Sequence, residues 1–430
     1  LPLFIRIHTP PPGVKDATYR YVLLFRRTVA PTSFYCMHPN TKKCRTHLSA
    51  DKNCGMMAWK GTAMRPFPPD RAVARIHTAA LVKNYRMLQK KAGNARVFAV
   101  VKANAYGHGL EGVTATLAGA GCTAFAVATL EEACTVRLHA PGATVLILGY
   151  TPPQKARLLS ELSLTQTVFS ARYAKALDAA ASGAGRVIAV HFKMDGGMTR
   201  LGFSPDESRE IRDSVEACPM LLPTGIYTHF PTPENAEATG ETLKRFRALC
   251  GQLAACGLRL PRHAAASAAM LARDDAMLDA ARPGLALYGV PPVPCDLPLA
   301  PVLTLTAPVV QIHEVPPGIP VGYGGAFVTE RKSRIGTLPL GYGDGFSRAL
   351  GAFPLTLLHG RKKYSVPVAG RVCMDQTMVD LTGTPAKEGD TISVFGDVTA
   401  AARAAGTIPY EILTALSARV PRVAVFDPEE

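Results

Sequence analysis

The feature that most constrains this chain is an apolar run that ends in a lysine. Residues 97–101 read VFAVV, a sequence typical of a strand buried on both faces, and Lys102 follows directly. Lysine is almost never fully buried without a partner, so Lys102 is either paired with a carboxylate or chemically reactive. A lysine amine in this position can form a Schiff base with an aldehyde cofactor. The run alone does not decide between the two.

Strands and helices alternate regularly over the next two hundred residues. This pattern favours a parallel (β/α)8 barrel over an open doubly wound sheet, since no GxGxxG motif follows an early strand. The predicted strands cover residues 97–101, 124–127, 144–148, 167–169, 187–192, 225–227, 262–265 and 285–287. The predicted helices cover residues 110–119, 129–139, 153–162, 170–181, 206–217, 234–256 and 267–280.

Helices become rare after about residue 300. Residues 302–315 predict one long strand, further short strands separated by glycine turns extend to residue 395, and one helix is predicted near 410–418. A chain of 430 residues is too long for one ordinary core. We therefore predict an α/β barrel over residues 66–300 and a mostly β domain over residues 301–430.

Residues 1–65 do not read as a domain. They contain three consecutive prolines, scattered cysteines and no sustained periodicity, so we expect an irregular, dispensable extension. Residues 1–63 hold ten Lys/Arg and two Asp/Glu, which is +8 of the total net charge of +15. The remaining 367 residues carry only +7 and show no basic helix, so the charge does not predict nucleic-acid binding.

Two further classes are disfavoured by composition. No apolar run approaches the ~20 residues that a membrane span requires. The ten cysteines are scattered without a CxxC pair, which predicts reduced thiols in a cytoplasmic protein and neither a disulfide framework nor a metal site.

The residues around Lys102 match a known motif. Residues 99–109, AVVKANAYGHG, resemble the pyridoxal-phosphate attachment motif of alanine racemases, which are pyridoxal enzymes of fold type III. Further strings that resemble this family follow in the family's order, at residues 193–202, 227–230, 282–289, 321–324, 341–345, 370–376, 409–412 and 419–422. The resemblance extends from about residue 66 to the end. It implies the same TIM-like barrel and β domain, pairing of residues 66–77 with the β domain, and a head-to-tail homodimer.

The resemblance assigns two catalytic bases. Removing the Cα proton of an amino acid leaves a carbanion, which a conjugated pyridoxal ring delocalises. Lys102 would hold the cofactor as an aldimine and then act as the base on one face of Cα, serving D-alanine. Tyr323 matches the base on the opposite face, serving L-alanine. A phenol with a pKa near ~10 is a poor base, so Tyr323 needs a cationic or hydrogen-bonding neighbour.

The remaining site residues are also implied by the family match. Arg282 matches the residue that faces the pyridine nitrogen, and since arginine only donates, it disfavours protonation of that nitrogen. His229 matches a histidine that supports this arginine. Ser267 opens a helix after a strand and Gly284 permits close backbone approach, which suits a phosphate. The full set predicted to bind the cofactor is Lys102, Tyr106, Arg200, His229, Ser267, Arg282, Gly284, Leu285 and Tyr410.

Three residues are expected to bind or orient the substrate. Arg200 matches the arginine that contacts the substrate carboxylate and the cofactor's phenolic oxygen. Met374 matches a residue whose backbone N–H meets that carboxylate, and Asp375 beside it is expected to orient Arg200 or Tyr323. Lys193 corresponds to a lysine that is carbamylated in some members, and the sequence leaves its modification open.

The chain departs from the family beside Arg200. Gly196 stands where Ser or Thr is usual, and Thr199 stands where Gly or Asn is usual. Neither change removes a predicted catalytic group, but both bear on the geometry of Arg200.

We therefore predict a racemase that interconverts L- and D-alanine and supplies D-alanine for peptidoglycan. One alternative is a broad-specificity or serine racemase of the same fold. A barrel-type decarboxylase is disfavoured because Arg282 stands where an acidic partner of the pyridine nitrogen is expected. A non-catalytic pyridoxal-phosphate-binding protein would lack the β domain that carries Tyr323.

Overall fold

The computed structural model describes residues 70–425, so the predicted extension over residues 1–65 lies outside the described residues. The described chain begins with strand β1 (Val73–His77) and helix α1 (Thr78–Ala92). Helix α1 packs its apolar face inward through Leu81 and Leu88, which are both fully buried.

A nearly closed parallel barrel follows, as predicted. Its strand segments are β2 (Arg96–Val97), β3 (Ala99–Val100), β4 (Ala124–Val127), β5 (Thr144–Ile147), β6 (Thr165–Val168), β7 (Ile188–Lys193), β8 (Leu221–Tyr227), β9 (Arg262–Ala266) and β10 (Ala280–Arg282). β2 and β3 are two halves of one strand interrupted at Phe98. Since β2 pairs with β10 and β3 pairs with β4, this first strand closes the ring.

Helices surround the barrel strands. They are α2 (Lys102–Tyr106), α3 (Leu110–Gly119), α4 (Leu130–His139), α5 (Ala156–Glu161), α6 (Ala171–Gly183), α7 (Ser208–Ala217), α8 (Ala236–Ala255) and α9 (Ser267–Ala272). Short polar residues begin several of them: the side chains of Thr129, Ser170 and Asn235 cap α4, α6 and α8.

Two barrel predictions were wrong at the end of the ring. The eighth strand is β10 and not residues 285–287, which form the 3-10 helix Leu285–Tyr288. An apolar run buried in a helical turn has the same composition as a buried strand, so the sequence did not separate them. The helix predicted over residues 267–280 ends at Ala272, and the 3-10 helix Asp274–Ala276 follows it.

The C-terminal part is mostly β, as predicted. Its strands are β11 (Leu303–Pro308), β12 (Gln311–Val315), β13 (Pro320–Val321), β14 (Phe327–Val328), β15 (Ser333–Leu338), β16 (Leu355–His359), β17 (Lys362–Val366), β18 (Thr377–Asp380), β19 (Thr391–Phe395) and β20 (Arg422–Val425). They form a six-stranded sheet in the order β17-β16-β19-β11-β1-β20, a three-stranded sheet β12-β15-β18 and the pair β13-β14. The domain boundary near residue 300 stays a prediction.

Strand β1 confirms the predicted pairing of the segment before the barrel with the β domain. It runs antiparallel to β11 and parallel to β20. The single strand predicted over residues 302–315 was wrong: β11 and β12 belong to different sheets, and the break follows Pro308, which has no backbone N–H to donate.

Two helices lie near the C-terminus. α10 (Val398–Ala404) is capped by Asp397 and was missed, while the helix predicted near residues 410–418 is the shorter α11 (Pro409–Thr414). Of the helices between residues 70 and 425, none has the length and apolar character needed to cross a membrane.

Candidate active site

The predicted barrel residues gather where the strands end. Lys102 follows β3, Ser267 follows β9 and Arg282 is the last residue of β10. Arg200 and His229 lie in the loops after β7 and β8. In a parallel barrel these carboxyl ends form one rim, which is where side chains from separate strands can act together.

The chain after Lys102 is a left-handed turn. Ala103, Asn104, Ala105 and Tyr106 all have φ between 52° and 54°. Such a conformation costs L-residues roughly 1–2 kcal/mol each and persists only where the surroundings enforce it. The buried ring of His108 contributes, because its Nδ1 lies 3.0 Å from the carbonyl oxygen of Ala105 and 2.9 Å from that of Tyr106. The turn presents Lys102 at the rim.

The charges around Lys102 favour its neutral amine. Burial lowers the pKa of Lys102, and the positive charge of Arg200 and Arg282 lowers it further. The carboxylate of Glu132 opposes these effects and raises the Lys102 pKa. The sequence analysis did not identify Glu132. Its one sequence signal was the Thr129-x-x-Glu132 spacing of a capping box.

Arg282 is buried and held by three hydrogen bonds. One guanidinium nitrogen lies 2.5 Å from Nδ1 of His263, and the other donates to the carbonyl oxygens of Thr228 at 2.7 Å and Ala264 at 3.1 Å. The guanidinium also lies over the ring of Tyr227, 4.8 Å from its centroid. Burial lowers the pKa of Arg282 to about 10, so it stays charged at neutral pH.

Two neutral histidines, His263 and His191, extend the hydrogen-bond network of Arg282. Because arginine can only donate, Nδ1 of His263 must accept, and its Nε2–H then donates to Nδ1 of His191 at 2.9 Å. Burial and Arg282 lower the pKa of His191 to about 3 and that of His263 well below its ordinary value. The sequence analysis missed both residues and expected His229 to hold Arg282.

The positive charges around Arg282 also affect the pKa of His229. Burial, together with the positive charges of Arg282, Arg200 and Lys102, lowers its pKa to about 3. His229 is therefore neutral at physiological pH and can accept or donate one hydrogen bond at each ring nitrogen. Between residues 70 and 425, no hydrogen bond joins His229 to Arg282.

A small cradle lies between β9 and β10. Oγ of Ser267 accepts hydrogen bonds from the backbone N–H of Gly284 at 2.9 Å and of Ala286 at 3.2 Å. Gly284 faces the hydroxyl of Tyr106, and a Cβ at that position would collide with it. Because Oγ of Ser267 accepts from these two amides, its own proton stays available, and the hydroxyls of Ser267 and Tyr106 can both donate to an anionic group such as phosphate.

Aromatic rings line the approach to this cradle. The ring of Tyr106 lies 5.0 Å from that of Tyr288 and 6.0 Å from that of Tyr410, between centroids. Tyr410 lies in the first turn of α11 and is 37% exposed. Leu285 is fully buried and starts the 3-10 helix after Gly284.

The loop that carries Arg200 is organised by Asp195. Its carboxylate accepts hydrogen bonds from the backbone N–H groups of Gly197, Met198 and Arg200 at 2.8–2.9 Å. Lys193 donates to the carbonyl oxygen of Leu201, and burial lowers the pKa of Lys193 to about 8.

Both departures from the family in this loop have a structural consequence. Thr199 has φ of 53°, the left-handed region that Gly or Asn adopts more easily. Gly196 lies directly against the carbonyl oxygen of His229, and a Cβ there would collide with it. The loss of the usual Ser or Thr therefore lets the loops after β7 and β8 close on each other.

The residues predicted from the β domain are exposed. Tyr323, in the 3-10 helix Tyr323–Gly325, is 72% exposed, and Met374 is 53% exposed. Asp375 forms an ion pair with Arg419 at 2.6 Å, and among residues 70–425 it has no hydrogen bond to Arg200 or Tyr323. No hydrogen bond or ring contact joins Tyr323 to the barrel rim in the part of the chain that is described.

Comparisons with known proteins agree with this geometry. The family model "Alanine racemase, N-terminal domain" matches residues 76–292, and "Alanine racemase, C-terminal domain" matches residues 302–424. The chain belongs to the alanine racemase family. Membership confirms the predicted fold and the prediction that the chain is an enzyme, a pyridoxal-phosphate-dependent racemase of the isomerase class.

Individual members of the alanine racemase family match over nearly their whole length. The alanine racemase of Desulfovibrio desulfuricans is 39% identical over 369 residues, 83% of this chain and 99% of that protein. A solved alanine racemase from D-cycloserine-producing Streptomyces lavendulae has a TM-score of 0.78 and 32% identity, over 84% of this chain and 98% of that one. That of Bartonella henselae, solved with covalently bound pyridoxal phosphate, has a TM-score of 0.75 and 29% identity, over 83% and 100%.

Proposed function

We propose that this chain interconverts L-alanine and D-alanine with pyridoxal 5'-phosphate as its cofactor. The observation that carries the proposal is the placement of Lys102 at the barrel rim, in a left-handed turn and in the field of Arg200 and Arg282. Relatives named alanine racemases support it, since they match this chain over 98–99% of their own length.

The residues at the rim fit such a cofactor. The hydroxyls of Ser267 and Tyr106 and the backbone at Gly284 would hold the phosphate, with Leu285 and Tyr410 nearby. Lys102 supplies the amine that would hold the cofactor covalently. When bound, pyridoxal phosphate is conjugated to Cα of the amino acid and delocalises the charge left by the departing proton.

Lys102 would move the proton on one face of Cα. A general base works best when its pKa lies near the operating pH, and burial together with two arginines lowers the Lys102 pKa in that direction. Lys102 would take the proton from D-alanine, and its protonated amine would deliver a proton to the same face when L-alanine is the substrate, so one residue serves as base and acid on its face.

Arg282 would control the electronics of the site. It is held by three hydrogen bonds and stays charged, so it can only donate to a pyridine nitrogen placed against it. Such a donor opposes protonation of that nitrogen. A weaker electron sink keeps the charged state short-lived, which favours return of the proton to Cα over side reactions.

Inversion needs a second proton carrier on the other face, and we assign it to Tyr323. Its phenol is 72% exposed in the single chain, so we propose that a second copy in a head-to-tail homodimer brings it to the rim. The backbone of Met374 and the guanidinium of Arg200 would hold the substrate carboxylate. Asp375 would act through its ion pair with Arg419, which fixes the Met374 loop.

We propose alanine as the substrate. The enzyme would act in the cytoplasm and supply D-alanine for peptidoglycan. Tyr342 and Tyr410 are both partly exposed and are expected to narrow the entrance to the size of alanine. A broad-specificity or serine racemase of the same fold is the alternative, and comparison of alanine with serine as substrates separates the two.

The test measures racemisation of each alanine isomer with and without added cofactor, together with borohydride reduction and peptide mapping. We expect racemisation, and a reduced label on Lys102 alone. Lys102→Ala should lower the rate by about 10⁴-fold or more, because it removes both the covalent link and one base. The control is Lys83→Ala, an exposed lysine on α1, which should leave the rate unchanged. A label on another lysine would contradict the assignment.

A further inference from the structure

Glu132 joins two loops of the barrel rim through one carboxylate. Its Oε2 accepts hydrogen bonds from the backbone N–H of Ala128 at 2.9 Å and of Thr129 at 3.4 Å, which belongs to the capping box of α4. Its Oε1 reaches across to the neighbouring loop and accepts from the backbone N–H of Ala103 at 2.6 Å and of Asn104 at 3.4 Å. The capping box accounts for the contact with Thr129, the N-cap of α4, and not for the contacts with Ala103 and Asn104.

The second pair lies at the start of the left-handed turn. The first N–H groups of any helical turn have no acceptor within the turn, and here they belong to the two residues after Lys102. The far end of the turn is held separately: His108 contacts the carbonyl oxygens of Ala105 and Tyr106, and Oδ1 of Asn104 accepts from Leu110. Glu132 is thus the side chain that anchors the end next to Lys102.

Charge gives Glu132 a second effect on the same lysine. Among the groups in residues 70–425 that shift the pKa of Lys102, Glu132 is the one carboxylate, and it opposes Arg200 and Arg282. Without this carboxylate, the protonated amine would be repelled by Arg200 and Arg282 with no negative charge to oppose them. The negative charge of Glu132 therefore favours the position that the backbone contacts already impose.

We propose that Glu132 is a positioning residue for Lys102, which holds the left-handed turn closed through the N–H groups of Ala103 and Asn104. The turn is unfavourable for L-residues, so without this acceptor its first half should open and the lysine should lose its fixed direction. This inference rests on the proposed function only in taking Lys102 as the lysine that holds the cofactor.

The test compares three variants with the unaltered protein. Glu132→Gln keeps the size of the side chain but removes the charge and turns one accepting oxygen into a donating amide. Thr129→Ala breaks the same capping box and leaves the Glu132 carboxylate in place. Glu131→Gln removes the charge of the exposed neighbour in the same helical turn. A role limited to capping α4 predicts similar effects for Glu132→Gln and Thr129→Ala.

The first readout is hydrogen exchange of the protein without cofactor, measured over peptides that cover residues 101–107. We expect about 10-fold faster exchange at Ala103 and Asn104 in Glu132→Gln, as for one lost hydrogen bond, and little change there in the other two variants. Unchanged exchange over β4 and α8 shows that the barrel remains folded. Equal protection of Ala103 and Asn104 in Glu132→Gln and the unaltered protein would overturn the proposal.

The second readout is the covalent capture of cofactor by Lys102, measured by absorbance and borohydride labelling at increasing pyridoxal phosphate. Glu132→Gln should need about 10-fold more cofactor for half-saturation, while Thr129→Ala and Glu131→Gln should not. Normal capture in Glu132→Gln would overturn the positioning role. If the unaltered protein captured no cofactor on Lys102, the proposed function would fail, whereas the exchange measurement would still decide the role of Glu132.

Discussion

The barrel rim and the face of the β domain that carries Tyr323 differ in how far their residues are enclosed. At the rim, Ser267 is 3% exposed and Arg282 4%, and each is held by several hydrogen bonds. On the β domain, Tyr323 is 72% exposed and Met374 53%. The chain encloses one half of its predicted site and leaves the other half uncovered.

The uncovered half is nevertheless well ordered by its backbone. The carbonyl oxygens of Cys373 and Met374 accept hydrogen bonds from the 341–345 loop at 3.0 and 2.9 Å, and Arg419 bridges Asp375 at 2.6 Å and the buried Asp344 at 3.3 Å. A fixed backbone that presents exposed aromatic and apolar side chains is typical of a surface that another protein surface completes. Under the proposed function, the enclosed half would hold the cofactor, and the uncovered half would contribute Tyr323 and Met374 to the site of a second copy.

Of the changes proposed here, Tyr323→Phe, in the uncovered half, should have the largest effect on the reaction rate. Loss of one general acid–base group lowers rates by roughly 10²–10⁴-fold, and since the proposed role of Tyr323 is confined to one face of Cα, the loss should fall mainly on L-alanine. The measurement is exchange of the Cα hydrogen of each isomer separately in D2O. Equal loss for both isomers, or no loss, would mean that Tyr323 is a packing residue. The barrel rim would then contain all of the catalytic groups.

Gly196→Ser, in the enclosed half, should have a smaller effect, which we expect on the stability of the fold. Restoring the family's usual residue places a Cβ against the carbonyl oxygen of His229, and we expect a loss of about 1–3 kcal/mol in the free energy of unfolding. The matched control is Gly251→Ala in α8, where a Cβ meets nothing within 4 Å. That change should stabilise the protein by about 0.4–1 kcal/mol. Unchanged stability in Gly196→Ser would show that the two loops are not closed on each other.

The buried histidines predict a weaker, pH-dependent effect. The folded-state pKa of His191 is lowered to about 3, so the unfolded chain binds the extra proton first as the pH falls below about 6.5. The stability due to neutral His191 is therefore complete above pH 6.5 and is lost progressively toward pH 3. His191→Asn keeps an acceptor for His263 and should reduce the loss between pH 7.5 and 5.5 by about 1 kcal/mol.

The measurement is urea unfolding of both proteins at the two pH values, with His359→Asn, at the exposed last residue of β16, as the control. The control should lose as much stability on acidification as the unaltered protein. An identical loss in His191→Asn would show that His191 is not held neutral in the enclosed half.

Much of the fold was predictable because each barrel unit has its own local signal. Strand β4 is an uninterrupted apolar run, and α4 begins with a capping box. β10 was missed because Ala-Ala-Arg carries no strand preference, and its place in the sheet is set by its neighbours β9 and β2. The split between β11 and β12 likewise depends on which sheet each strand joins, which no local pattern contains.

Only those residues of the candidate site that lie within recognisable motifs could be predicted from the sequence. Lys102 and Arg282 stand in strings that resemble the family, and their roles came from that resemblance. His263 and His191 are joined across 72 residues, and Glu132 reaches Ala103 across 29, so neither contact has a sequence pattern. Each of these groups matters because of a backbone or ring placed beside it by the barrel.

The central claim is that each site combines Lys102 of one copy with Tyr323 of another. The most direct measurement mixes Lys102→Ala with Tyr323→Phe, each nearly inactive, and follows racemisation as the subunits exchange. Random pairing makes half of the dimers mixed, and each mixed dimer has one intact site of two, so about a quarter of the unaltered activity should appear. No recovery, with mixed dimers shown to form, would contradict the account, because it would mean that both residues act within a single chain.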